Sequence, residues 1–81
     1  MKYKVEIEEL ADHYVVALKD KDTLKVKKAM TLNRLGADIL RAFVNGQPQE
    51  QLVPRLAERY DATIAEMEEQ VSAFYAEWAE Y

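Results

Sequence analysis

An 81-residue chain without cysteine has room for one domain and excludes a disulfide framework, a thiolate nucleophile and a cysteine zinc site. A chain of this size buries only about 60% of the surface its unfolded form exposes, so modest stability is expected. The net charge of −4 is unevenly placed: Lys25, Lys27, Lys28 and Arg34 lie in the acid-free stretch 23–37, while no base follows Arg59 and Asp61, Glu66, Glu68, Glu69, Glu77 and Glu80 accumulate.

The apolar runs, such as that from Tyr14 to Leu18, are far too short to span a bilayer, and MKYKVEIEEL is not a signal peptide. A soluble cytoplasmic protein with no membrane partner is the resulting expectation.

In chain order, Tyr3, Val5 and Ile7 alternate with Lys4, Glu6 and Glu8, the period of a strand with one buried face, which predicts a strand over 3–8. Residues 13–18 place Tyr14, Val16 and Leu18 on one face and Val15 and Ala17 on the other. Such a strand is expected to be covered on both faces and central in its sheet. After the charged loop Lys19-Asp20-Lys21-Asp22, Leu24, Val26 and Met30 alternate with Lys25, Lys27 and Ala29 as a third strand, 24–30. Lys28 falls on the apolar parity, so a bulge or a strand end is expected there. In a simple meander the third strand is an edge, and lysines on an edge discourage uncontrolled pairing.

Asn33 is a good N-cap for a helix over 34–45, in which Leu35, Ile39, Leu40 and Phe43 form the buried stripe and Asn45-Gly46 the stop. Gly36 costs about 1 kcal/mol against alanine in a helix interior, which predicts a close backbone approach there. A second helix, 48–60, starts at Pro48 and buries Leu52, Val53, Leu56 and Tyr60. Pro54 removes the bond to the Glu50 carbonyl and crowds that turn, predicting a kink or restart at Val53 or Pro54. The third helix, 64–80, opens on the capping box Thr63-Ile64-Ala65-Glu66 and carries Ile64, Met67, Val71, Phe74 and Trp78 at helical spacing.

Catalytic chemistry finds little support. His13 has no nucleophile near it in sequence, Ser72 is the only serine and lies within a helix, and no glycine-rich loop could cradle a phosphate. Glu68 and Glu69 diverge by about 100° on a helix and read as a solvated face rather than as metal ligands. No cofactor, metal site or catalytic residue is expected.

Three antiparallel strands followed by three helices is the α+β layout of a winged helix-turn-helix. Leu32-Asn33, Gly36-Ala37, Ile39-Leu40, Asn45-Gly46, Leu56-Ala57-Glu58-Arg59-Tyr60 and Val71-Ser72-Ala73-Phe74, in that order and spacing, resemble the PqqD-like family. These are small recognition domains of ribosomally made, post-translationally modified peptide pathways. The resemblance implies a non-catalytic adaptor on which the leader segment of a precursor peptide adds as a further strand. Carried onto this chain, the pairing edge is Leu24, Lys25, Val26, Lys27, Lys28 and Ala29. The helical wall of the implied groove is Met67, Gln70, Val71, Phe74 and Trp78. The implied partners are the precursor peptide and a modifying enzyme, whether a radical enzyme, a leader peptidase or a cyclase. Strand addition is sound on its own terms, since a sheet edge offers unpaired amides and carbonyls and alternate side-chain pockets supply specificity.

Asn45-Gly46 stands where the family commonly has aspartate-glycine, and Gln70 stands where an acid is frequent. A DNA-binding regulator is the rival reading of the layout. The third helix has no base and at least five acids, which oppose a phosphate backbone, so no nucleic-acid partner is expected. The aromatic stripe Phe74, Tyr75, Trp78 and Tyr81 leaves self-association, as a homodimer, as a third reading.

Overall fold

The computed structural model describes residues 2–81 and has the element order β1 (Tyr3–Leu10), β2 (His13–Asp20), β3 (Val26–Leu32), α1 (Arg34–Val44), α2 (Gln49–Arg59) and α3 (Ile64–Trp78). This is an α+β chain: one antiparallel sheet of order β1-β2-β3, followed by three helices. It divides into two compact units, Met1–Asp38 with Tyr81, and Ile39–Glu80, and α1 contributes residues to both.

In the first unit β2 is central, as its composition predicts. Across the sheet Val5 pairs with Leu18 and Leu18 with Lys28, while Ile7 pairs with Val16 and Val16 with Met30. Tyr14, Val16 and Leu18 on that face are buried. Coverage of both faces of β2 is not found: Val15 and Ala17 on the opposite face are only half-buried. That face is screened partly by long charged side chains, of which Lys19 reaches Glu6 at 2.6 Å.

β1 and β2 each run two residues further than their apolar alternation, because Glu9 and Leu10 pair with Tyr14 and His13, and Lys4 and Tyr3 with Lys19 and Asp20. Ladder bonding carries a strand past its hydrophobic pattern. β3 instead starts later than its pattern, at Val26, and ends at Leu32. The register slips between Leu18 and Lys19, leaving Lys27 as an extra residue between Lys28, opposite Leu18, and Val26, opposite Lys19. The bulge expected around Lys28 therefore falls one residue earlier. It turns Val26 off the face of Met30, where simple alternation had placed it, and Val26 is 56% exposed.

The Glu6 carboxyl is held below its ordinary value of 4.5, chiefly by the hydrogen bond from Lys19 and then by that lysine's charge. A depressed carboxylate stabilises the fold at neutral pH. The contribution is lost as pH falls from about 4.5 through the lower folded value. In acid titrations followed by circular dichroism, Lys19→Met should therefore be destabilised relative to the parent at pH 7, with the difference vanishing below that window.

Around α1, Asn33 caps as expected: its Oδ1 accepts from the Gly36 amide at 2.8 Å, and its carbonyl accepts from Ala37 at 3.0 Å. Gly36 is thus in the first helical turn, where its backbone cost is small, and it is buried. Ala37, Ile39, Leu40 and Ala42 are buried along α1. The helix ends in a Schellman motif. Gly46, at φ +73°, donates to Phe43, and Gln47 donates to Ala42, both at 3.0 Å.

The second unit packs α2 against α3, with Leu52, Val53, Leu56 and Ala57 of α2 and Met67, Val71 and Trp78 of α3 buried. Pro48 is the residue before the helix rather than its first turn, and its carbonyl accepts from the amides of Gln51 and Leu52. Pro54 does not restart α2, which runs unbroken through it. Pro54 and Glu50 are both exposed, so the proline ring and the carbonyl it deprives of a bond sit on the water-facing side.

α2 ends as α1 does, with Asp61 in the glycine position at φ +52°: Asp61 donates to Glu58 and Ala62 to Ala57. A left-handed non-glycine residue is strained by about 1–2 kcal/mol. Asp61→Gly should accordingly raise the unfolding free energy measured by urea titration by about 0.5–1 kcal/mol after the added chain entropy is subtracted.

At the start of α3 the Thr63 hydroxyl oxygen accepts from the Glu66 amide at 3.1 Å. The capping box closes differently from expectation. The Glu66 carboxylate accepts from the Thr63 hydroxyl at 2.9 Å.

Candidate functional site

β3 is one of two sheet edges, and the two differ in charge. β1 carries Glu6, Glu8 and Glu9, whereas β3 and the residues just before it carry Lys25, Lys27 and Lys28. Val26, Lys27, Lys28 and Ala29 are all exposed.

The hairpin leading into β3 is tightly built. The Asp20 carboxylate accepts from the amides of Asp22 and Thr23, both at 2.9 Å, and the backbone bonds of Thr23 foremost hold it below its ordinary value of 3.8. Leu24 donates to the Asp20 carbonyl at 2.9 Å, closing a five-residue turn that forces Leu24 to φ +61°. Leu24 is also 52% exposed. A leucine here gains little from burial and sits where glycine or asparagine would be easier. Leu24 and Lys25 belong to the turn, not to the ladder, which shortens the pairing edge read from the sequence to Val26–Ala29.

Lys28 points to the face of Leu18 and Met30, and its ammonium lies over the Tyr81 ring, 4.7 Å from the centroid, within hydrogen-bonding reach of the phenol oxygen. Tyr81 is fixed further by its carbonyl, which accepts from the Lys2 amide at 2.8 Å, and by the Tyr3 ring at 6.4 Å. Sequence reasoning placed Tyr81 only in an aromatic stripe. The polar residue on an apolar parity, Lys28, was the available signal that something aromatic or acidic meets it.

The α3 residues expected to face a ligand separate by burial. Met67, Val71 and Trp78 are almost wholly inaccessible, Phe74 is half-buried, and Gln70 is exposed. Phe74 and Gln70 are thus the two that offer surface in the free protein. Phe43 meets Tyr75 edge-on, with centroids 5.1 Å apart, and the Tyr75 hydroxyl donates to the Gln47 carbonyl at 2.7 Å. Burial holds that hydroxyl protonated above its ordinary value of 10.0. Ile64, counted in the buried stripe of α3, is instead 51% exposed.

A concavity lies within the helical unit, with a volume of about 610 Å³, between Pro48, Val53 and Pro54 on one side and Ile64, Glu68 and Tyr75 on the other. No sequence pattern pointed to it. The exposed flank of α3 at Ile64 would have been its only mark.

Among the described residues no three histidine, aspartate or glutamate side chains cluster to hold a metal ion, and no helix is long and apolar enough to cross a membrane. Compared with known protein families, residues 12–81 match coenzyme PQQ synthesis protein D (PqqD). The chain belongs to the PqqD family. Searches of curated proteins and of solved structures returned no match. The match starts just before β2 and so takes in the basic β3 edge and all three helices. Membership makes the chain an accessory protein of quinone-cofactor or related ribosomal-peptide biosynthesis. PqqD proteins are accessory peptide-binding proteins, and their family role implies a precursor peptide and a biosynthetic enzyme as partners.

Proposed function

We propose that this protein is a non-catalytic adaptor that captures the leader segment of a ribosomally synthesised precursor peptide by strand addition at β3 and presents the peptide to a modifying enzyme. The observation that carries the proposal is the exposed, lysine-bearing edge Val26–Ala29, on the opposite side of the sheet from an acidic edge. The leader's backbone supplies the ladder bonds, and Leu24 and Val26 offer apolar contacts beside it. Gln70 and Phe74 are the α3 side chains proposed to touch leader residues, while Met67, Val71 and Trp78 support them from the core. Basic residues at the edge favour an acidic leader, because complementary charge speeds encounter.

The test is an amide NMR titration of the intact protein with candidate leader peptides and with a short DNA duplex. Saturable shifts and slowed amide exchange along Val26–Ala29 with one peptide are expected, with a second set at Gln70 and Phe74. Shifts in α2 or α3 caused by the duplex, with β3 unmoved by every peptide, would reject the adaptor role in favour of DNA binding.

A further inference from the structure

The α2–α3 concavity has features that the leader-binding edge does not use. Its volume of about 610 Å³ is that of a cleft for a large side chain or a short segment. Its apolar surface comes from Pro48, Val53, Pro54 and Ile64, of which Ile64 is 51% exposed although it opens the helix. The hydroxyl protons at its floor are already committed: Ser72 donates to the Gln49 side chain at 3.0 Å and Tyr75 to the Gln47 carbonyl at 2.7 Å. Beside the Gln49 amide, two carboxylates line the concavity, Glu50 and Glu68, which form no ion pair among the described residues. No lysine or arginine follows Arg59 to neutralise α3. Apolar walls with uncompensated negative charge complement a segment that pairs one large apolar side chain with an adjacent base.

We infer that this groove docks a basic, apolar-anchored segment of the modifying enzyme, leaving the β3 edge free for the leader. The inference rests on the adaptor reading, since it gives the enzyme a surface separate from the peptide's. The apolar anchor enters between Pro54 and Ile64, and an arginine or lysine beside it meets Glu50 and Glu68.

The experiment uses the intact protein and a pair of designed six-residue peptides, one alternating arginine with leucine and one alternating glutamate with leucine. The arginine peptide should shift the amides of Val53, Ile64, Glu68 and Ser72 saturably, and binding should weaken with added salt. The double variant Glu50→Lys/Glu68→Lys should weaken it about tenfold or more. Both positions are exposed, so folding is expected to survive and is checked by circular dichroism. Ile64→Ser should weaken binding without altering its salt dependence. Equal binding of the glutamate peptide, or no shifts at the groove with either peptide, would overturn the inference. So would concentration-dependent shifts of the same amides in the protein alone, which would make a second copy the occupant. A leader titration on the double variant separates the two ideas: β3 shifts retained while the arginine peptide is lost is the expected pattern. Leader shifts at the groove instead of at β3 would overturn both.

Discussion

Replacing Trp78 with alanine is expected to lower the stability of the protein more than the other substitutions considered, by about 3–5 kcal/mol. Trp78 is 1% exposed and is first by volume among the fully buried side chains, so its truncation opens a cavity in the core. Such truncations cost about 3–5 kcal/mol. A domain of this length has a total stability of about 4–12 kcal/mol, so one side chain accounts for a large share of it. Urea unfolding must be followed by far-ultraviolet circular dichroism, because Trp78 is the only tryptophan. Trp78→Phe, which keeps an aromatic ring in the site, should lose markedly less. A parental midpoint in the alanine variant would mean that Trp78 is not buried in solution. The pair also guards the functional argument: leader binding lost in the alanine variant but kept in the phenylalanine variant reports the core, not a direct contact.

The second large effect concerns association kinetics. Lys25→Glu/Lys27→Glu reverses two exposed charges, one just before β3 and one within it, and neither side chain is held by an ion pair with an acid among the described residues. Stability should change little, since both charges are exposed and Lys27 acts on the Asp20 carboxylate only weakly, through its charge. The association rate with an acidic leader should fall about 10- to 100-fold at low salt, because steering is mainly a property of encounter. Stopped-flow measurements at 1 M salt, where the screening length is about 3 Å, should bring parent and variant together. Equal rates at both salt concentrations would remove charge steering from the mechanism while leaving backbone pairing to be judged by amide exchange.

The contrast between the two variants reflects how the molecule is built. Trp78 acts through packing and its loss is felt everywhere, whereas the lysines act through an edge whose backbone does the holding. The proposed division of labour follows from that. A basic edge receives one partner, and a groove lined by Glu50 and Glu68 in the helical unit receives another, so the two need not compete for the same charge.

The sequence by itself determined the elements whose causes are local. Alternation in Tyr3 to Glu8 and around Val16, the helical stripe of Ile39 and Leu40, the Asn33 cap and the Gly46 stop each depend on residues within a few positions of one another. The α+β order and the family resemblance followed from these. Features set by distant partners could not be read in this way. The bulge at Lys27 exists because β2 fixes the register on either side of it, and only then does Val26 turn outward. Leu24 is left-handed because a turn closed on Asp20 leaves it no other conformation. Pro54 is tolerated because its side of α2 faces water, which depends on where α3 packs. The same packing decides that Met67, Val71 and Trp78 are core while Ile64 stays open, although all four share one helical stripe. Periodicity names the face a helix buries, and only the neighbouring helix decides how far along its length that face is covered.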